Sequence, residues 1–274
     1  MIHNDSTPKI SCLLVTAAGR LEHFERSLRC YEDQTYPNRE LVIVNEGPPE
    51  YQHMLAERVK HRSDVRLEFL RGRYTLGGLR NIAVGLAFGD LWVQWDDDDF
   101  NMPNRLAVQS HYLLRNPEAK ACFLSEQLHY YFPTRQLFWN NWQIHSGGHK
   151  RFGAIPGTIL AHKDGFSYRY PSSGDWARAG EDSVLVGDMC RIDPTSVVLL
   201  SGYGHMHIYS YHGKNVWDVE HHLNISRVRG MSCAHMIKNR ELLVQTLRYM
   251  DFSDTVNVMG SEGLAFIYRR NYVG

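Results

Sequence analysis

The densest chemistry in this chain lies in Trp95-Asp96-Asp97-Asp98-Asp99-Phe100-Asn101-Met102-Pro103, where four consecutive carboxylates follow the strand-like run Leu91–Trp95. Four adjacent carboxylates repel one another, and burying them unpaired is very costly. Directly after an apolar strand they belong at the carboxyl edge of a sheet. In an extended backbone Asp96 and Asp98 point the same way. Two carboxylates on one side suit a hard divalent cation, Mg²⁺ or Mn²⁺, which completes its shell with water and phosphate oxygens. The plainer reading is a solvated acidic turn that caps the helix opening near Pro103.

A second acidic pair stands in Gly180-Glu181-Asp182-Ser183, after the turn-rich Pro171–Gly174 and before an apolar helical segment. One acid there fits a helix N-terminus. The other reading is a general base that takes a proton from an attacking hydroxyl. The fifteen histidines include His205, His207, His212, His221 and His222, which invite a zinc reading. No cysteine stands at ligand spacing, no H-E-x-x-H helix is present, and a polar sheet surface explains His205 and His207. Tyr130-Tyr131-Phe132, Phe138-Trp139 and Trp142 read as core, and Arg71 and Arg73 as solvated.

These groups need a scaffold. The chain has 274 residues, 43% hydrophobic and 22% charged, with 30 basic residues against 30 acidic ones. Such a chain can bury a large core without a disulfide or structural metal. Zero net charge argues against a nucleic-acid binder. No apolar run approaches the ~20 residues of a membrane span. Met1 to Lys9 is polar, without a signal-peptide layout. Cys12, Cys30, Cys122, Cys190 and Cys233 are widely spaced and odd in number, which reads as free thiols in a reducing, cytoplasmic setting.

The first half alternates strands and helices: strands at Ile10–Val15, Glu40–Asn45, Val65–Phe69 and Leu91–Trp95, and helices at Leu21–Gln34, Glu50–Val59, Leu79–Ala87 and from Pro103 to about Asn116. Near-continuous apolar strands indicate a mostly parallel central sheet flanked by helices. Ligands of such sheets bind beyond the carboxyl ends of the strands, here after Val15, Val44 and Trp95. The second half is less regular, with strands expected at Tyr130–Phe132, Leu137–Trp139, Ile155–Ala161, Val197–Leu200 and His207–Tyr211. Helices are expected at Asp182–Cys190 and Cys233–Tyr249. The expectation is one α/β domain over 1–274: a first half of about 9–120, a second of about 121–217 whose residues 121–170 form a small antiparallel extension, and a helical extension over 218–274.

In this order the motifs resemble the family 2 glycosyltransferases of GT-A fold. Gln34-Thr35-Tyr36-Pro37-Asn38 with Glu40-Leu41-Val42-Ile43-Val44 is similar to the family's Q-T-Y-P-N-x-E-L-I-I-V. Leu76-Gly77-Gly78-Leu79-Arg80-Asn81-Ile82-Ala83 resembles its L-G-x-x-R-N-x-A helix start. Trp95–Asp99 with Pro103 resembles the segment carrying its D-x-D motif, and Gly180-Glu181-Asp182 its G-E-D. Tyr211-His212-Gly213-Lys214-Asn215-Val216-Trp217 is similar to a late R-H-G-x-N-x-W loop. Thr16-Ala17-Ala18-Gly19-Arg20 stands at its P-T-Y-N-R-like turn. The resemblance spans about residues 9–217. Two departures stand out: Val44-Asn45-Glu46-Gly47-Pro48 replaces V-D-D-G-S, and the Ala17-Ala18 turn lacks the Tyr-Asn.

The resemblance implies a metal-dependent transfer of a sugar from a nucleotide-sugar, a UDP-sugar favoured, to a saccharide or other hydroxyl acceptor. Mn²⁺ or Mg²⁺ would be held by Asp98 and Asp96, with His212 as a further metal or diphosphate ligand. Thr16, Arg20, Asn45, Glu46, Arg80, Asp96, Asp97, Lys214 and Trp217 would line the donor. Asp182 would be the catalytic base, with Glu181 supporting it or contacting the acceptor. Trp176 and Trp217, near these motifs, are the candidates for stacking on a sugar. Inversion is favoured. A retaining enzyme, a nucleotidyltransferase and a non-catalytic nucleotide-sugar-binding protein are the alternatives. Peripheral membrane contact and oligomeric state are open.

Overall fold

The computed structural model describes residues 7–144, 153–250 and 253–270. In chain order its strands and helices are β1 (Ile10–Thr16), α1 (Leu21–Glu32), β2 (Arg39–Asn45), α2 (Pro49–Val59), β3 (Val65–Phe69), α3 (Leu76–Leu86), β4 (Leu91–Gln94), β5 (Phe100–Asn101), α4 (Arg105–Leu114), β6 (Ala121–Leu124), β7 (Glu126–Tyr131), β8 (Gln136–Asn141), β9 (Leu160–His162), α5 (Glu181–Ile192), β10 (Val197–Leu200), β11 (His207–Tyr211), α6 (Val219–Arg229), α7 (Cys233–Lys238), α8 (Arg240–Met250), β12 (Thr255–Gly260) and β13 (Gly263–Arg269). The chain divides into two compact units interleaved in sequence. The first holds residues 1–98, 103–123 and 156–198, and the second 99–102, 124–155 and 199–274.

The first unit is built on a sheet of order β10-β6-β9-β4-β1-β2-β3. Strands β4, β1, β2 and β3 run parallel, and β9 is antiparallel to both β4 and β6. Seven consecutive residues of β1 read I-S-C-L-L-V-T and six of them are buried, as a strand covered on both faces requires. Strand order reverses at β1, which lies between β4 and β2, so the carboxyl ends of β1 and β4 flank a topological switch point. The β1–β2 register sets Thr16 beside Asn45 at that edge.

Helix α3 starts three residues earlier than the apolar spacing suggests. The Thr75 hydroxyl accepts the Gly78 N–H and caps it. Gly77 is required there: a Cβ would meet the Pro171 carbonyl oxygen at 1.9 Å. This close approach seats the chain before α5 against the start of α3. Gly180, in the left-handed region at φ 83°, turns the chain into α5.

The second unit carries a sheet of order β13-β12-β8-β7-β11-β5. Three expectations are corrected here. The single helix Cys233–Tyr249 is two, α7 and α8: Ser232 caps the first, and Asn239 interrupts the ladder. Of the strand expected at Ile155–Ala161 only Leu160 and Ala161 are β, as the start of β9, because Pro156–Thr158 forms a 3₁₀ turn. The extension after residue 218 is not all helical. Strands β12 and β13 form an antiparallel hairpin across Ser261-Glu262, with Val256 and Val258 buried between half-exposed Thr255, Asn257 and Met259. That period of two is the strand signature. All five cysteines are free: Cys12, Cys30, Cys122 and Cys190 are buried and Cys233 half-buried. Among the described residues no helix is long and apolar enough to cross a membrane.

Candidate functional site

The acidic run leaves β4 in the first unit. It is not extended: β4 ends at Gln94 and the chain bends from Asp97. The expectation that Asp96 and Asp98 share a side is therefore corrected. Asp97 and Asp98 converge on one guanidinium, with Arg20 Nη2 lying 2.7 Å from Asp97 Oδ1 and 2.5 Å from Asp98 Oδ2. Asp96 turns to Arg80 instead, with Oδ1 2.8 Å from Nη1. Helix α1 holds the bend from behind: the Ser27 hydroxyl donates to the Asp96 carbonyl, and Arg26 Nη2 to the Asp98 carbonyl.

Arg80 also joins the second acidic motif. Its Nε donates to Glu181 Oε1 at 2.8 Å, and the side chains of Arg80 and Glu181 are 9% and 3% exposed. One buried guanidinium thus ties the acidic turn to the first residue of α5. Burial alone would lower the Arg80 guanidinium, but Asp96 and Glu181 raise it well above its ordinary value. Expected against a nucleotide, Arg80 is in the structure a strut between two acids. The network continues inward. Gln94 Nε2 donates to Asp96 Oδ2, and the Tyr170 hydroxyl donates to Gln94 Oε1. A small pocket opens beside it, lined by Leu13, Val15, Arg80, Ala83, Gln94 and Tyr170. Gln94 and Tyr170 are not singled out by the sequence patterns, although a glutamine inside L-W-V-Q-W is a visible polar interruption.

Asp182 is the second residue of α5 and half-buried. Its Oδ1 accepts the Ser183 N–H at 2.7 Å. Burial first, then the neighbouring Glu181 charge, push its carboxyl up to about 6. Asp97 is pushed up to about 7, again by burial and then by Asp98, and its Oδ2 is buried with no hydrogen-bond partner. Asp99 belongs to the second unit and is structural: Oδ1 accepts the Ser210 N–H, and Oδ2 lies 3.4 Å from His207 Nε2.

At the β1–β2 edge, Thr16 Oγ1 and the Tyr51 hydroxyl are 3.0 Å apart. Asn45, fully buried, donates from Nδ2 to the Thr16 carbonyl and accepts the Gly47 N–H at Oδ1. Its amide clamps two strand ends together and presents nothing outward, which corrects its expected place against the donor. Glu46 is half-buried, and its Oε2 accepts the Tyr74 N–H. Trp176 is exposed on the 3₁₀ turn Asp175–Ala177 ahead of α5. His212, Lys214 and Trp217 lie in the second unit. There His212 Nδ1 accepts the Lys214 N–H, and exposed Trp217 stacks on His221.

Among the described residues no group of three or more histidine, cysteine, aspartate or glutamate side chains could hold a metal ion. Among the described residues a metal would therefore have fewer than three such side-chain ligands. Mg²⁺ or Mn²⁺ takes one or two carboxylates when phosphate oxygens supply the rest. Half-buried Asp98 is the outer donor, half-buried Asp96 has Oδ1 on Arg80 and Oδ2 on Gln94, and Asp97 Oδ2 is buried without a hydrogen-bond partner. The residues present fit a cation of this kind.

The chain resembles known proteins in sequence and in fold. An uncharacterized glycosyltransferase from Haemophilus influenzae is 24% identical over 119 residues, which are 43% of this chain and 36% of that protein's length. The structure of S. aureus TarS 1–349 in complex with UDP superposes with a TM-score of 0.55 at 14% identity, covering 89% of this chain and 72% of that one. Mannosyltransferase PcManGT from Pyrobaculum calidifontis, in complex with GDP-Man and Mn²⁺, gives 0.52 at 14% identity, covering 89% and 64%. These likenesses show a glycosyltransferase GT-A-type α/β fold. The profile of glycosyl transferase family 2 matches residues 12–168, more than half of the 274, and the chain belongs to that family.

Proposed function

We propose that the protein transfers a hexosyl group from a nucleoside-diphosphate sugar, a UDP-sugar favoured, to a hydroxyl acceptor with inversion. The observation that carries this reading is the Asp96–Arg80–Glu181 bridge, which fixes the acidic turn and the start of α5 on one guanidinium. A leaving diphosphate and an attacking hydroxyl need opposite kinds of help, and the two motifs supply them. Asp98 would hold Mn²⁺ or Mg²⁺, joined by Asp96 only where Arg80 or Gln94 releases one of its oxygens, and the ion as a Lewis acid would stabilise charge on the departing diphosphate. Arg20, with Thr16 and Asp97 behind it, borders the donor from the β1 edge, and Glu46 with the Tyr74 backbone borders the base. Asp182 takes the proton of the acceptor hydroxyl during attack. A carboxyl raised to about 6 is still ionised at neutral pH and is a stronger base than an ordinary aspartate. Glu181 stays paired with Arg80 and positions Asp182 rather than reacting. The neighbours in complex with UDP and with GDP-Man support a nucleotide-diphosphate donor.

A donor screen tests this reading. UDP-, GDP-, dTDP- and CMP-sugars are titrated with and without Mn²⁺, following binding and slow donor hydrolysis. Metal-dependent binding of one sugar nucleotide that Asp98→Ala abolishes is the expected result. A folded protein that binds none of them refutes it.

A further inference from the structure

The two arginines of the site are held in different ways. Arg80 grips Asp96 and Glu181 through two different nitrogens, and its side chain is 9% exposed. Arg20 reaches Asp97 and Asp98 through one nitrogen, Nη2, and its side chain is 30% exposed. Its two partners differ as well: Asp97 is the inner carboxylate at 5% exposure and Asp98 the outer one at 18%. Asp97 also keeps Oδ2 buried without a partner, a second seat beside the one Arg20 already uses.

We propose that Arg20 is a displaceable counter-ion, neutralising Asp98 until a divalent cation takes that carboxylate, then withdrawing onto both oxygens of Asp97. The inference rests on the metal–nucleotide reading above. A guanidinium and a dication cannot both sit on Asp98 without repulsion, and within a few ångströms that repulsion is large in a partly buried site. The withdrawn guanidinium meets a vacant carboxylate oxygen, so a shared single-nitrogen contact becomes a paired, two-bond one. Arg20 lies between β1 and the first residue of α1 and caps nothing with its side chain, so its movement breaks no helix cap. Its positive charge stays at the site, where a diphosphate brings new negative charge. Metal and donor are thereby coupled: the cation alone must displace Arg20, while a cation arriving with a diphosphate is compensated for the displaced charge.

The test is Mn²⁺ binding, read from the electron paramagnetic resonance signal of free Mn²⁺ at neutral pH, with and without UDP. Arg20→Gln is expected to bind Mn²⁺ about tenfold more tightly than wild type without nucleotide, from the loss of one like charge. With UDP present the advantage shrinks or reverses. Arg20→Lys, which keeps the charge, stays near wild type. Arg20→Met keeps the unbranched stem and gives the same reading as glutamine should that variant fail to fold. Unchanged or weaker Mn²⁺ binding in both neutral variants, with wild-type binding intact, overturns this inference alone. Wild type that binds no Mn²⁺ with or without UDP overturns the metal reading, and this inference with it.

Discussion

Replacing Asp182 by asparagine is expected to move activity and stability in opposite directions. The Asp182 carboxyl is raised from an ordinary 3.8 to about 6 by burial and by Glu181. A raised carboxyl stabilises the fold while it is protonated, and that contribution is lost as pH rises through about 6. At pH 7.5 the wild type therefore carries an unfavourable charge, with an upper bound of about 3 kcal/mol for a carboxyl raised that far. Asp182 keeps some contact with solvent and Arg80 partly offsets its neighbours, so about 1–2 kcal/mol is the working figure. Asparagine removes the charge and retains the Oδ1 that accepts the Ser183 N–H. Urea unfolding at pH 7.5 should show Asp182→Asn more stable than wild type by that amount, with the gain fading toward pH 4. Turnover should fall by about 10²–10⁴ for loss of a general base. Wild-type kcat should fall as pH drops through about 6. A variant with full turnover refutes the base. A variant less stable than wild type at pH 7.5 refutes the electrostatic account of the site.

Arg80→Gln leaves Glu181 buried and unpaired, so it should destabilise by about 3–5 kcal/mol, lowering Tm by roughly 10 °C in a chain this size; calorimetry checks it, and a wild-type Tm would mean the bridge is not formed. Gly77→Ala drives a methyl into the Pro171 carbonyl and should cost about 2 kcal/mol or more with loss of turnover, measured by urea titration and donor hydrolysis. In the second unit, His129 is held well below its ordinary value and His222 down to about 4, both first by burial. Their contribution is whole above about pH 6.5 and lost as pH falls toward 4, so His222→Phe should flatten the dependence of the urea midpoint between pH 7 and 5.

Much of the scaffold was legible because its signals are local. Strands β1 and β2 each carry four consecutive apolar residues, Cys12–Val15 and Leu41–Val44, the pattern of a strand covered on both faces. The hairpin β12–β13 carries its own period-two alternation and a two-residue loop, and was readable in principle. The site was legible as a set of residues but not as a set of pairs. Arg80 and Glu181 are 101 positions apart, and no spacing rule links them. Asn45 stands where a ligand-holding acid was expected; its amide instead makes two contacts to backbone, which only the register of β1 against β2 reveals. Gly77 is the converse: its identity is explained by the distant chain segment at Pro171.

The pairing gives the site its character. Five acids, Asp96, Asp97, Asp98, Glu181 and Asp182, face two guanidiniums, and each arginine serves two of them. Arg80 favours ionised Asp182 by charge alone, while its two ion pairs go to Asp96 and Glu181. The shortfall is expressed where physics directs it, as a raised carboxyl on Asp182 and on Asp97. Adding a third fixed cation would satisfy every acid and leave no base of useful strength. Removing Arg80 would strand Glu181 and unseat α5. The uncompensated negative charge keeps Asp182 basic and leaves Asp98 attractive to a cation that arrives with its own phosphate oxygens. Neutralising Asp97 as Asp97→Asn should therefore lower the Asp182 carboxyl only slightly, because Glu181 and Asp96, not Asp97, stand among its perturbing neighbours. A pH–rate profile of that variant displaced by a full pH unit would show that the two halves of the site titrate as one.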